Sequence, residues 1–300
     1  MRIDSGYTLA AVGAVIALVV AGCGVGSTSE PDPTTEANSS LHDALPESVA
    51  EDGKLVIAMP GVNPPWWQKD GQGYTGAAAK LMAELGSVLD VKMEYVAVKD
   101  LAAAFAGVRS GRYDAGFNPY GDVGSKNIDV VDVIREIVPF LVPAGNPEGI
   151  ESLDDLCGLS IAALGPAGKG SAYYILTKQS DRCTTGGEPP IDIVALKAVP
   201  DGVLAIKSDR ADALFSSGAP LSYYVEQSDG DLELAATEAD TGFENLYQGL
   251  IVSDRSPLSG TLVKAFEEVF DSGAYETIMR DHGLERQMLD EPGLNLATGK

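Results

Sequence analysis

The sequence predicts an α/β fold of two similar lobes, each a mainly parallel sheet flanked by helices, and three observations carry that expectation. Apolar runs of strand length alternate with helical patterns. The alternation pauses and then resumes after about Gly145. The stretch Ser110 to Phe117 recurs as Ser208 to Phe215, both reading S-x-R-x-D-A-x-F, and each copy follows an amphipathic helix. A chance match between two helix-to-strand turns is the plainer reading of that repeat, and two related lobes the better one.

In the first half, Lys54 to Met59 reads as a strand and Ala77 to Val88 as a helix with Leu81, Leu85 and Val88 on one face. Val91 to Val98 follows as a strand, Asp100 as the N-cap of a helix running to about Val108, and Tyr113 to Phe117 as another strand. In the second half the strands are Leu159 to Leu164, Ile193 to Leu196 and Ala211 to Phe215, with helices at Ser171 to Gln179 and Gly202 to Lys207 between them. Amphipathic spacing gives two closing helices, Leu258 to Phe270 and Tyr275 to His282, before Pro292 and Gly293 end regular structure.

Composition narrows the function. The 300 residues carry 44 acidic and 21 basic side chains, a formal charge of −23. Neutralising phosphates needs clustered Lys and Arg, so nucleic acid is excluded as a partner, and adsorption to an anionic membrane surface is disfavoured. Hydrophobic content of 45% suits a globular chain with a sizeable core. Three Cys and two His leave little for a Cys/His metal site, and no cofactor is expected.

The apolar run Leu9 to Ala21 is too short to span a bilayer comfortably and matches a signal-peptide core. It ends Val20-Ala21-Gly22-Cys23, which resembles the bacterial lipobox. That resemblance implies a lipoprotein signal peptide over 1–22, cleavage before Cys23 and a diacylglycerol on its sulfur. A simple signal peptide with Cys23 incidental is the alternative. The segment to Ser40 is rich in Ser, Thr, Pro and acid, so 23–48 is expected to be a lipid anchor and flexible tether. His42 falls inside it. Cys157 and Cys183, an even pair in an exported chain, are expected to form a disulfide.

Ligands of open α/β sheets bind beyond the carboxyl ends of strands, which makes Asn118 and Tyr120 candidates in one lobe and Ser216 and Ser217 in the other. The turn Gly165 to Ser171 places Gly168, Lys169 and Ser171 where a helix N-terminus favours a ligand oxygen. A nucleotide phosphate loop is rejected there, because Gly170 and not Ser or Thr follows Lys169.

Several segments, in this order and spacing, resemble the extracellular solute-binding proteins of family 3, the lipoprotein receptors of ABC importers. They are Lys54 to Pro65 with Tyr74-Thr75-Gly76, Ser110 to Asp114, Ser152 to Gly158, Ser208 to Ala213, and Gly273-Ala274-Tyr275. The resemblance implies a two-lobed periplasmic-binding-protein-like fold of type II, with 49–142 plus 243–300 as lobe 1 and 143–242 as lobe 2. Crossings are expected near Val142 to Asn146 and near Thr241 to Gln248. It further implies a monomer at the outer face of the cell membrane that delivers a small solute to a permease, and no catalysis. A sensor lipoprotein or a periplasmic dehydratase-like enzyme would share the fold.

Two features that the family uses for α-amino acids are missing. The stretch expected to supply an Arg for the carboxylate reads Val123-Gly124-Ser125-Lys126-Asn127, and Ser217 stands where an Asp would hold the ammonium. Lys is a poor substitute for a bidentate Arg. Trp66, Trp67, Tyr74 and Tyr120 suggest an aromatic site for a small nitrogen-containing solute, since aromatic faces attract ammonium groups by about 0.5 to 2 kcal/mol each. For an enzyme, Glu136 or Asp122 could serve as the acid or base, but acids in so acidic a chain are expected to be mostly solvated surface.

Overall fold

A computed structural model describes residues 40–166, 171–237, 239–243 and 246–299. The expected signal peptide, Cys23 and the tether up to residue 39 lie outside the described residues, as do Gly168 and Lys169. Among the described residues no helix is long and apolar enough to cross a membrane.

The chain opens with α1 (Glu47–Asp52), β1 (Lys54–Met59), the hairpin β2 (Gln68–Asp70) and β3 (Gly73–Thr75), then α2 (Ala77–Leu89), β4 (Lys92–Ala97), α3 (Leu101–Arg109), β5 (Ala115–Gly121) and β6 (Ile128–Arg135). The second lobe holds β7 (Phe140–Pro143), β8 (Ser160–Leu164), α4 (Ala172–Gly186), β9 (Asp192–Leu196), α5 (Val199–Lys207), β10 (Ala213–Phe215), α6 (Gly218–Glu226) and β11 (Leu232–Ala235). The chain returns through β12 (Tyr247–Ser253), α7 (Leu258–Asp271), α8 (Ala274–Arg280) and β13 (Gly293–Leu294).

Two sheets result, ordered β13-β6-β12-β5-β1-β4 and β11-β7-β10-β8-β9. In the first, β1 lies parallel between β4 and β5, and in the second β8 lies parallel between β9 and β10. Each sheet therefore reverses its winding direction at its first parallel strand, β1 in one and β8 in the other. Helix α2 packs on one face through Leu81, Met82, Leu85 and Leu89, four side chains at helical spacing with no solvent exposure. Helix α3 packs elsewhere, in a separate cluster with Val108, Tyr113, Tyr120 and Ile251.

The sequence repeat has one structural meaning in both lobes. Asp114 Oδ2 accepts from Val56 N at 2.8 Å while its own N–H donates to Val56 O, and Asp212 forms the same two bonds with Ser160. Each Asp thus clamps the strand it immediately precedes, β5 or β10, to the central parallel strand.

Three boundaries differ from the sequence reading. Strand β7 pairs with β10 and β11, so the chain has entered the second sheet by Phe140, ahead of the expected Val142 to Asn146. The return lies between Ala235 and Tyr247, overlapping the expected Thr241 to Gln248. The expected tether is folded at its end: Leu41 and Leu45 are buried on lobe 1, His42 Nδ1 bonds Leu89 O, and Ala44 O accepts from Thr261. Regular structure also continues past Pro292, because β13 adds antiparallel to β6. Asn295 secures that addition by accepting from Val130 N and donating to Asp129. Cys157 and Cys183 are disulfide-bonded, tying the turn before β8 to α4.

Candidate functional site

The crevice at a winding reversal, beyond the carboxyl ends of its strands, is where open α/β sheets take ligands. In lobe 1 that crevice is a cavity of about 340 Å³ bounded by Pro60 after β1, Val98 after β4, Leu101 and Phe105 of α3, and Asn118 to Gly121 of β5. Asn118 accepts from Asn63 Nδ2 at 2.8 Å, so a pair of amides stands at its edge. Tyr120 is 6% exposed and meets Phe105 edge to face at 5.7 Å, and burial pushes its phenol up to about 12. Its hydroxyl is therefore a neutral donor at any ordinary pH.

In lobe 2 the equivalent ends are Gly165 after β8, Lys197 after β9, and Ser216 and Ser217 after β10. Ser171 caps α4 by accepting from Tyr174 N at 3.1 Å, which fixes where that helix begins. Ser216 is buried, and Ser217 immediately precedes α6.

A hydrogen-bonded base joins the two sides. Glu136, in the first crossing, is buried, and its carboxylate accepts from Ser217 Oγ, Gly218 N, Ile137 N and Gln248 Nε2. Gln248, at the start of β12, is in register with Gly121 at the end of β5. Burial raises the Glu136 carboxyl above the usual carboxylate range, and the four donors oppose that rise without overcoming it. Ser217, Glu136 and Gln248 are thus hydrogen-bonded to one another, with the end of β5 beside Gln248 through Gly121.

The tryptophans are not there. Trp67 has no exposed surface, donates Nε1 to Phe117 O at 3.0 Å and packs edge-on to Tyr74 and Tyr95. Trp66 is 4% exposed in the same core. The cause is local: the first N–H groups of α2, from Ala77 and Ala78, bond to Pro65 O and Trp66 O, which docks the Pro-Pro-Trp-Trp segment against the helix. Gly76 permits it, with φ 99° and a hypothetical Cβ only 2.6 Å from both carbonyls. Tyr74 joins that cluster and carries Lys69 Nζ over its ring at 4.1 Å. An aromatic cage built on Trp66 and Trp67 is therefore corrected to lobe-1 core.

Glu136 and Asp122 also depart from expectation, being 8% and 5% exposed. Neither is a solvated surface acid: Asp122 accepts from Ala297 N at 2.9 Å. Residues that the sequence did not single out are Asn63, Leu101, Phe105 and Gln248. Glu136 stands next to Arg135 in the sequence, and no local pattern marks it as buried. Among the described residues, the group of Cys157, Cys183 and Glu188 has metal-ligand proximity, but both thiols are spent in the disulfide.

No family model matches the chain. It is 25% identical to the arginine-binding protein ArgT of Corynebacterium glutamicum over 271 residues, covering 88% of this chain and 84% of that one. An ancestral cationic amino acid solute-binding protein superposes with a TM-score of 0.64 at 18% identity, covering 79% of this chain and 98% of that one. The L-cystine solute receptor of Neisseria gonorrhoeae, in its unliganded open form, gives 0.61 at 17% identity, with 79% and 95% covered. Two sheets, each with a winding reversal and joined by two crossings, define a type II periplasmic-binding-protein fold. Over most of its length the chain is similar in sequence to the corynebacterial solute-binding protein, and it shares the fold of the solved solute-binding proteins.

Proposed function

We propose that this protein is a lipid-anchored extracellular receptor that captures a small nitrogen-containing solute of the amino-acid class between its lobes and delivers it to an ABC importer. The observation that carries this reading is the Gln248–Glu136–Ser217 base, which links the strand ends of lobe 1 to those of lobe 2. A solute above that base meets amides from one lobe and hydroxyls and helix N–H groups from the other. Bonds to both lobes stabilise the closed arrangement, the hinge closure expected of two lobes on two connections. The names of the related proteins, for arginine, cationic amino acids and cystine, support the solute class. Lipid anchoring at Cys23 rests on the lipobox resemblance, and a monomer with no cofactor and no catalytic step completes the proposal.

The test is a thermal-shift screen of the full chain in mild detergent against amino acids, betaines, polyamines and sugars. A solute at a hundred times its Kd stabilises the folded state by about 2.7 kcal/mol, a readable shift. A shift confined to nitrogen-containing solutes is the expected result. A shift with sugars alone contradicts the proposed class.

A further inference from the structure

The lobe-1 crevice is apolar where an arginine or another cationic side chain, as in the names of two of the relatives, would call for a charge. Its wall is made by Pro60, Val98, Leu101, Phe105, Pro119 and Tyr120. Leu101 is 58% exposed and Val123, also on the lining, 78%, so two exposed apolar side chains stand at one mouth. The single ionisable acid of the lining is Asp100, and it is engaged: Oδ1 caps α3 by accepting from Ala103 N at 2.8 Å, and Oδ2 lies 3.5 Å from Lys99 Nζ. A guanidinium or ammonium entering the crevice would shed water and find an apolar wall with no uncommitted carboxylate. The amide pair Asn63 and Asn118, at the edge, suits a polar head group and leaves the wall to the rest of the solute.

Resting on the receptor reading above, we infer that this crevice is a side-chain subsite selecting an apolar substituent, so that the captured solute is an amino acid or close relative with an aliphatic or aromatic side chain and not a cationic one. Two properties commit the site to that occupant. It lies at the winding reversal and is continuous, through Asn118 to Gly121, with the register partner of Gln248. Its volume of about 340 Å³ admits a side chain with part of its backbone and nothing macromolecular.

The discriminating pair is norleucine and lysine, which share a carbon chain and differ in the terminal ammonium. Isothermal titration of the full chain should show norleucine, leucine or phenylalanine binding at least tenfold more tightly than lysine or arginine. In Leu101→Asp, a change at an exposed position that spares the fold, the apolar solutes should weaken tenfold or more while the melting temperature without solute stays unchanged. Lysine or arginine binding tenfold more tightly than norleucine would overturn the apolar subsite and leave the receptor reading standing. Apolar solutes binding equally well to Leu101→Asp would also overturn it, by placing their side chains elsewhere. Silence toward every amino acid would overturn the receptor reading for this class, and the subsite with it.

Discussion

Ser217, at the start of a lobe-2 helix, donates its hydroxyl hydrogen to Glu136, a buried carboxylate in the first crossing between the lobes. The same carboxylate collects two backbone N–H groups and the amide of Gln248 from the returning strand. One side chain therefore ties the first connection to the returning strand β12 and to the start of a lobe-2 helix. Burial alone would expel so isolated a charge, and the four donors are what the fold supplies against that cost.

Glu136→Ala removes the acceptor and strands those donors. The expected loss is about 1–3 kcal/mol of folding stability. Urea denaturation at pH 7 measures it, with Glu136→Gln losing less because one acceptor oxygen remains.

The two Asp clamps give a paired prediction. Asp114→Ala leaves Val56 N without its acceptor and Asp212→Ala does the same to Ser160 N, each at about 1–3 kcal/mol. Hydrogen exchange should show faster exchange at Val56 in the first variant and at Ser160 in the second. Equal effects on both lobes from either change would refute two separately clamped sheets.

Much of this architecture was legible because it is periodic. Strand and helix patterns follow burial on one face, and the S-x-R-x-D-A-x-F repeat exposed the clamps because an Asp that must meet the same backbone group twice is written twice. The candidate site was legible only where it sits on strand ends, at Asn118, Tyr120, Ser216 and Ser217. Trp66 and Trp67 misled because a Trp pair after a strand reads alike whether it faces solute or core. What turned them inward was a contact no local pattern encodes, the carbonyls of Pro65 and Trp66 meeting the N-terminus of α2. Glu136 and Gln248 sit far apart in sequence and acquire meaning only when the crossings are side by side.

Asp132 sets a pH dependence. It is fully buried, its Oδ2 accepts from Leu296 N at 2.8 Å, Oδ1 has no partner among the described residues, and burial, reinforced by nearby Asp122, pushes the carboxyl up to about 7. A carboxyl whose folded pKa lies above its unfolded value favours folding most below the unfolded value, near 4, and loses that contribution as pH rises to about 7. Lowering the pH from 7.5 toward 5 should therefore raise this group's contribution, by up to about 1.4 kcal/mol per pH unit within that window. Denaturation midpoints across pH should show it, and Asp132→Asn should flatten the slope.

Reduction of the Cys157–Cys183 disulfide frees the chain between the turn before β8 and α4. On the chain-entropy model this costs about 3.5 kcal/mol. Cys157→Ser with Cys183→Ser should lower the denaturation midpoint correspondingly, and added reductant should have no effect on that variant.

Small-angle X-ray scattering on the full chain in detergent, contrast-matched and recorded with and without a solute found in the thermal screen, decides whether the cleft captures solute by closing. The expected result is a saturable fall in the radius of gyration with solute in the wild-type protein, abolished by Ser217→Trp, which fills the space beside Glu136. An unchanged radius at saturating solute, or closure that persists in Ser217→Trp with unaltered affinity, would contradict capture between the lobes.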